Sequence, residues 1–203
     1  MDVVCFDLEG VFTPEIWISV AEATGIDELK ITTRDEPDYD KLMKTRLEIL
    51  KKKGITVGTI QKIIAKMELL PGAKEFMTWV RSVAQIVVIT DNYKDFLNPL
   101  LKKLDYPMCF HHDLEIDKNG IITDYHLTTN NMKKKVVQAF KSMNCMVIAC
   151  GDSYNDIDML KEADYGILFK PPQNIMDDFP EFPVVYDYNN FKKTLSNHLG
   201  ISK

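Results

Sequence analysis

Cysteine is scarce. The 203 residues hold only Cys5, Cys109, Cys145 and Cys150, and no two of them form a C-x-x-C pair. A disulfide framework and a thiolate zinc site are therefore not expected, and these cysteines, set mostly in apolar runs, read as buried reduced thiols. Positive charge is also in short supply: 25 Lys and Arg stand against 30 Asp and Glu, a formal charge of −5 with no long basic run. Such a chain is poorly suited to holding nucleic acid through its phosphates. Long hydrophobic runs are missing too. Ile86–Ile89 is strand length, far below the roughly 20 residues that span a bilayer. The segment Met1-Asp2-Val3-Val4-Cys5-Phe6-Asp7 has an acid near each end and an apolar stretch too short for a signal peptide. No repeat or low-complexity tract is present, and nothing fixes an oligomeric state. The expectation is a soluble, cytoplasmic protein that binds neither nucleic acid nor membrane.

What remains is ordinary globular material, 45% hydrophobic and 27% charged. Short runs of β-branched and apolar residues read as strands buried on both faces: Val3–Phe6, Ile86–Ile89, Met146–Cys150 and, more weakly, Gly166–Phe169 and Val184–Tyr186. Helical patterns over Gly72–Val83, Asn131–Met143 and Tyr154–Ala163 alternate with them, which predicts an α/β fold with a parallel, Rossmann-like sheet. One stretch breaks the alternation. From Pro14 to about Leu70 there is only helical pattern, over Glu15–Thr24, Tyr39–Lys53 and Val57–Met67, punctuated by Gly25, Pro37 and Gly54 and closed by Pro71-Gly72. We expect residues 1–13 and 71–203 to form the core and residues 14–70 a helical insertion after the first strand. That insertion would lie over the carboxyl end of the sheet, where open α/β folds bind ligands. A smaller excursion, His111–His126, carries Asp117-Lys118-Asn119-Gly120 between two strand-like runs and reads as a hairpin.

Three strand ends carry chemistry. Asp7 and Glu9 follow the first strand, and Gly10 then turns the chain; a turn can aim both acids at one point, although each could also simply cap the next helix. Thr90-Asp91-Asn92 ends the Ile86–Ile89 run. A hydroxyl placed there, just before a helix, can bind an anion together with free backbone N–H groups, or serve as an N-cap. Gly151-Asp152-Ser153-Tyr154-Asn155-Asp156 follows the third strand. Two acids and an amide there suit a hard cation such as Mg²⁺, which takes oxygen ligands and substrate phosphate. Lys133-Lys134-Lys135 opens a helix whose dipole favours acids, a misfit hinting that one of the three serves a nearby anion.

In order, these residues resemble the motifs of the haloacid dehalogenase-like superfamily: an acid pair after strand one, Ser or Thr after the next, a Lys, and a Gly-Asp acidic motif. An insertion after the first motif is similar to the phosphoserine phosphatase branch. Asp7-Leu8-Glu9-Gly10-Val11, Pro14-Glu15-Ile16-Trp17-Ile18, Thr32-Thr33-Arg34-Asp35 and Gly151-Asp152-Ser153-Tyr154-Asn155-Asp156 closely resemble its bifunctional phosphoserine phosphatase/homoserine phosphotransferase subfamily. Glu9 departs from the superfamily's usual Asp but matches that subfamily.

The resemblance implies an Mg²⁺-dependent enzyme that removes phosphate from phosphoserine through an aspartyl phosphate and can pass it to homoserine. By position, Asp7 would be the nucleophile and Glu9 the acid and base. Asp7, Asp152 and the Glu9 carbonyl would bind Mg²⁺, with Asp156 supporting that shell. Thr90, Asp91, Lys133 and Asn155 would hold the phosphate. Glu15 would bind the substrate ammonium and Arg46 its carboxylate. Read without the resemblance, Glu15 is a first-turn acid and Arg46 a surface residue. A phosphatase without transferase activity, or one for another small phosphomonoester, fits the same motifs. A phosphoamino-acid binding module would not need Asp7, Glu9 and Asp152 all intact, and a response-regulator receiver would lack the helical insertion.

Overall fold

Val3, Val4, Cys5 and Phe6 have no contact with solvent, because alternate residues of the strand face two different cores. This strand, β1 (Asp2–Phe6), sends Val4 and Phe6 to one face and Val3 and Cys5 to the other. The computed structural model describes residues 1–32, 35–36 and 38–201. Part of the Thr32-Thr33-Arg34-Asp35 motif, Thr33 and Arg34, and the punctuating Pro37 lie outside the described residues.

After β1 come α1 (Ile16–Thr24), a 3-10 turn (Asp27–Lys30), α2 (Tyr39–Lys53), α3 (Val57–Ile64) and α4 (Ala73–Val83). Next are β2 (Gln85–Tyr93), α5 (Lys94–Lys103), β3 (Met108–Ile116), β4 (Ile122–His126) and α6 (Met132–Ser142). The chain ends with β5 (Met146–Gly151), a 3-10 turn (Tyr154–Asp156), α7 (Ile157–Glu162), β6 (Tyr165–Phe169), α8 (Gln173–Asp178), β7 (Val184–Val185) and α9 (Tyr188–His198). The strands form one seven-stranded sheet in the order β4-β3-β2-β1-β5-β6-β7. Every neighbouring pair is parallel except β3 and β4, the expected hairpin. Its turn is closed by Asp117, whose carboxylate accepts from Asn119 and Ile121 N–H at 2.8 Å each, and by Gly120 at φ +80°. No described helix is long and apolar enough to cross a membrane.

Helices cover both faces of the sheet. On one, α4, α5 and α9 pack with α1, α2 and α3 around Val4 and Phe6; on the other, α6, α7 and α8 cover Val3, Cys5, Val147 and Ala149. The segment between β1 and α4 is helical as expected and reaches over the carboxyl end of β2. From it the Tyr39 hydroxyl donates to the Asp91 carbonyl at 3.2 Å and lies 2.9 Å from the Tyr93 hydroxyl. The hairpin braces it as well, with Tyr125 donating to Asp40 at 2.9 Å and Val57 N–H to the Gly120 carbonyl at 2.8 Å.

Two expectations need correction, and one strand was not foreseen. Thr90 does not stand just before a helix: β2 runs on to Tyr93, its pairing with β3 irregular between Ile89 and Tyr93. There Asn92 N–H donates back to the Thr90 hydroxyl at 3.2 Å, so this oxygen is not at a helix N-terminus. The pattern over Tyr154–Ala163 divides into a 3-10 turn and α7, because Ser153 and Asp156 form a reciprocal capping box that tightens the first turn. Finally, Met108, Cys109 and Phe110 join the main sheet beside Val87, Val88 and Ile89; that apolar run is too short to read as a strand before polar His111, His112 and Asp113.

An aromatic cluster centres on Phe76, whose ring lies 4.7 Å from Phe191, 4.9 Å from Tyr188 and 6.0 Å from Phe6. Removing a fully buried phenyl group leaves a cavity, so Phe76→Ala should lower stability by about 3–5 kcal/mol. Urea unfolding measures this; a loss under about 1 kcal/mol would show that the face collapses to fill the gap.

Candidate active site

Asp7 extends the pairing of β1 with β5, its N–H donating to the Cys150 carbonyl at 2.9 Å. That places its side chain at the carboxyl ends of the two central strands, beside Asp152, which follows β5. Asp7, Asp152 and Asp156 each present an oxygen atom, and the three atoms lie within 4.8 Å of one another. Two glycines make the approach possible. Gly10 has φ +71°, and a Cβ there would come within 2.4 Å of the Asp152 carboxyl carbon. A Cβ on Gly151 would stand 2.2 Å from the carboxyl carbon of Asp156. Both positions need the missing side chain.

One ammonium holds these acids. Lys133, at the start of α6 and only 2% exposed, places Nζ 2.7 Å from Asp156 Oδ1, 3.1 Å from Asp7 Oδ1 and 3.5 Å from Asp91 Oδ2. Its neighbours turn away: Lys134 Nζ is 4.0 Å from Glu162, and Lys135 donates to the Thr129 hydroxyl at 2.6 Å. Asp156 is fully buried and also accepts from the N–H groups of Asp152 and Ser153, at 3.0 and 3.1 Å. Asp91 faces His112 Nε2 at 3.7 Å through Oδ1 and accepts from Asn155 Nδ2 at 2.7 Å through Oδ2.

The charges do not balance. Burial pushes the Asp7 carboxyl well above the usual carboxylate range; Lys133 opposes this, while Asp156, Asp152 and Asp91 add repulsion. Burial disfavours charge on Lys133, yet Asp156, Asp7 and Asp91 hold its pKa well above the ordinary lysine value. Burial likewise raises Asp91, but Lys133, His112 and Asn155 outweigh it and keep that carboxyl low. The all-oxygen set of Asp7, Asp152 and Asp156 fits a hard divalent cation such as Mg²⁺, whose charge would relieve the crowding.

Glu9 lies near Lys133 and takes its hydrogen bonds from outside the acid cluster. Its Oε1 accepts from Ile16 N–H, the first residue of α1, at 2.6 Å, and its Oε2 from Asn92 Nδ2. Burial, with the nearby Glu15 carboxylate, pushes its carboxyl up to about 8 against the Ile16 N–H and the charges of Lys133 and Arg46. A carboxyl so raised can carry a proton at neutral pH. Glu15 is the exposed N-cap residue of α1. Arg46, on α2, is 6% exposed rather than a surface residue. Its guanidinium stands 4.5 Å over the Trp17 ring, and its NH2 group donates to the Ile31 carbonyl at 2.6 Å. Arg46 Nε is buried with no acceptor among the described residues.

Asp7, Asp91, Lys133, Asp152 and Asn155 thus share one network, with Thr90 fully buried beside it. Glu9 leads from that network toward Glu15 and Arg46. Asp156, expected to support from outside, presents an oxygen within the acid cluster itself. Two residues had no assigned part. Asn92, beside Thr90 and Asp91, gave no separate signal. His112, 3% exposed and accepting from Thr128 N–H at Nδ1, lies in a polar stretch whose burial depends on the hairpin.

Comparison with known proteins finds one family. A family model described as haloacid dehalogenase-like hydrolase matches residues 1–164. The chain is 49% identical over 193 residues to the phosphoserine phosphatase ThrH of Pseudomonas aeruginosa, covering 95% of this chain and 94% of that one. It is 46% identical to a phosphoserine phosphatase of Pseudomonas syringae pv. tomato, over 95% of this chain and 81% of the relative. Among solved structures, a substrate-bound phosphoserine phosphatase superposes with a TM-score of 0.79 at 19% identity, covering 95% of this chain and 97% of the other, a likeness of fold.

Removing Lys133 strands buried carboxylates without their counter-charge. Lys133→Ala should therefore cost about 3–5 kcal/mol in the metal-free protein, and Lys134→Ala or Lys135→Ala no more than about 0.5 kcal/mol. Chemical denaturation of the three variants checks the ranking; equal losses would remove Lys133 from its central place.

Proposed function

The chain belongs to the haloacid dehalogenase-like hydrolases, and from that premise we propose that it is a phosphoserine phosphatase that also transfers the phosphoryl group to homoserine. Residues 1–13 and 71–203 act as the phosphatase core and residues 14–70 as a cap that reads the substrate, in the cytoplasm. The observation that carries this reading is the arrangement of Glu9. This proton-holding carboxyl feels both Lys133 of the acid cluster and the buried Arg46, whose Nε lacks an acceptor among the described residues.

Asp7 attacks the phosphorus of phosphoserine. The bond to the seryl oxygen breaks, that oxygen takes its proton from Glu9, and serine leaves an aspartyl phosphate behind. The hydroxyl of Thr90, the backbone N–H of Asp91 and Lys133 Nζ receive the phosphoryl oxygens, for the Asp91 carboxylate is itself engaged by Lys133, His112 and Asn155. Asn155 acts on the phosphate side by fixing Asp91. Asp7, Asp152 and Asp156, with the Glu9 carbonyl, would hold Mg²⁺, which offsets the charge that a phosphate dianion brings to a carboxylate nucleophile. Splitting the displacement into two steps makes each easier. In the second, Glu9 removes the proton of an incoming hydroxyl as the bond to Asp7 breaks and its electron pair returns to the carboxylate. Water gives free phosphate; homoserine gives homoserine phosphate. Arg46 can pair its fork with the carboxylate common to both amino acids, and Glu15 with their ammonium.

The test is incubation with labelled phosphoserine and Mg²⁺ at rising homoserine. Label should move into homoserine phosphate as free phosphate falls; serine and phosphate alone at saturating homoserine would leave a phosphatase without transfer, and no serine at all would remove phosphoserine as substrate. Glu9→Gln should slow release of alkyl alcohols far more than release of p-nitrophenolate, which needs no proton, and equal losses would take Glu9 out of the acid role. Arg46→Ala loses a charge partner in a buried site, so kcat/KM for phosphoserine should fall roughly 150- to 5,000-fold, the equivalent of about 3–5 kcal/mol. Phosphate esters without the amino-acid groups should be spared, and a parallel loss on them would contradict the assignment.

A further inference from the structure

Asn92 is 3% exposed on β2, and its amide is used on one side only. Nδ2 donates to Glu9 Oε2, while Oδ1 is enclosed and accepts from no group among the described residues. Ile16 N–H already occupies the other Glu9 oxygen. An enclosed amide oxygen without a donor is unfavourable, and an ionised carboxylate can only accept, so Glu9 in that state cannot supply one. The half-buried Glu9 Oε2 and the enclosed Asn92 Oδ1 are therefore two neighbouring acceptors, joined through the Asn92 amide. Two adjacent acceptors match a small molecule with two O–H donors.

We propose that Asn92 and Glu9 together hold the water that hydrolyses the phosphoenzyme, and that Asn92 thereby sets how far hydrolysis prevails over transfer to an alcohol. The inference rests on the phosphatase reading above and names the residue that governs its second step. The water oxygen bonds to phosphorus as the bond to Asp7 breaks, and the electron pair returns to the Asp7 carboxylate. One water proton passes to Glu9. The second stays on the oxygen that becomes part of free phosphate, hydrogen-bonded to Asn92 Oδ1 throughout. A primary alcohol has one hydroxyl proton, which Glu9 takes, and its carbon substituent cannot satisfy Oδ1. Asn92 thus favours water and leaves the alcohol route unaided. A group placed only to orient Glu9 would affect both routes alike.

The test follows rapid-quenched turnover of p-nitrophenyl phosphate, whose phenolate leaves without a proton, by wild type and by Asn92→Ala in the presence of Mg²⁺. Asn92→Leu, of similar volume, carries the test if the alanine variant does not fold. The variant should release phenolate in a burst equal to the enzyme present and then turn over roughly tenfold more slowly than wild type, the scale of one lost hydrogen bond. With phosphoserine and homoserine together, the ratio of homoserine phosphate to free phosphate should rise roughly tenfold. That ratio is independent of the first step and of the fraction of folded enzyme, because both products come from one intermediate. An unchanged ratio with no burst would overturn the inference while leaving the phosphatase reading intact. A wild-type protein inactive on both esters would overturn the phosphatase reading, and this inference with it.

Discussion

Asp7, Asp91 and Asp156 share one ammonium, that of Lys133, at the carboxyl end of the sheet, with Asp152 crowded beside Asp7. Like charges out of water repel strongly, and one cation cannot offset four anions at contact distances of 2.7–3.5 Å from three of them. Much of the local structure exists to hold this arrangement. The parallel pairing of β1 with β5 delivers Asp7 and Asp152 side by side. Gly10 and Gly151 let backbone pass where a Cβ would strike the acids. The capping box around Ser153 turns Asp156 inward, where two N–H groups and Lys133 satisfy it. A site so rich in negative charge has a demand for cations, which a divalent metal would meet.

The insertion after β1 provides what that site lacks. Its first helix donates Ile16 N–H to Glu9, so that carboxyl is fixed by the same element that carries Glu15 and Trp17. Its second helix brings Arg46 onto the Trp17 ring, where burial lowers the pKa of the guanidinium against the attraction of Tyr39, Glu9, Tyr93 and Glu15. Tyr39 then ties the helix to the end of β2 through Asp91 and Tyr93. The insertion and the strand-end cluster are thereby joined by direct bonds, and movement of the insertion would be felt at Glu9.

The sheet's central strands were legible because burial on both faces forces continuous apolar runs, as in Val3–Phe6 and Met146–Cys150. The acids were legible because they follow those runs at once. β3 was not, since its inner end is three residues long before the chain turns polar at His111. The course of the chain after Thr90 was misread because nothing in Asp91-Asn92-Tyr93 shows that the strand continues through an irregularity before α5. Lys133 could not be told from Lys134 and Lys135 by type; only the rotation of α6 selects it. Asn92 and His112 depend on contacts with Glu9 and Asp91 that are made across 83 and 21 positions of chain, and short-range pattern carries no trace of such pairings.

The central claim is that Asp7, held among these acids by Lys133, becomes covalently phosphorylated. The most direct measurement is acid quench of the enzyme turning over phosphorus-labelled phosphoserine with Mg²⁺, followed by peptide mapping of the label. The account predicts a base-labile acyl phosphate on the peptide that carries Asp7, lost when labelled enzyme is chased with unlabelled substrate. Turnover at full rate with no label on that peptide, or label on another residue, would contradict it.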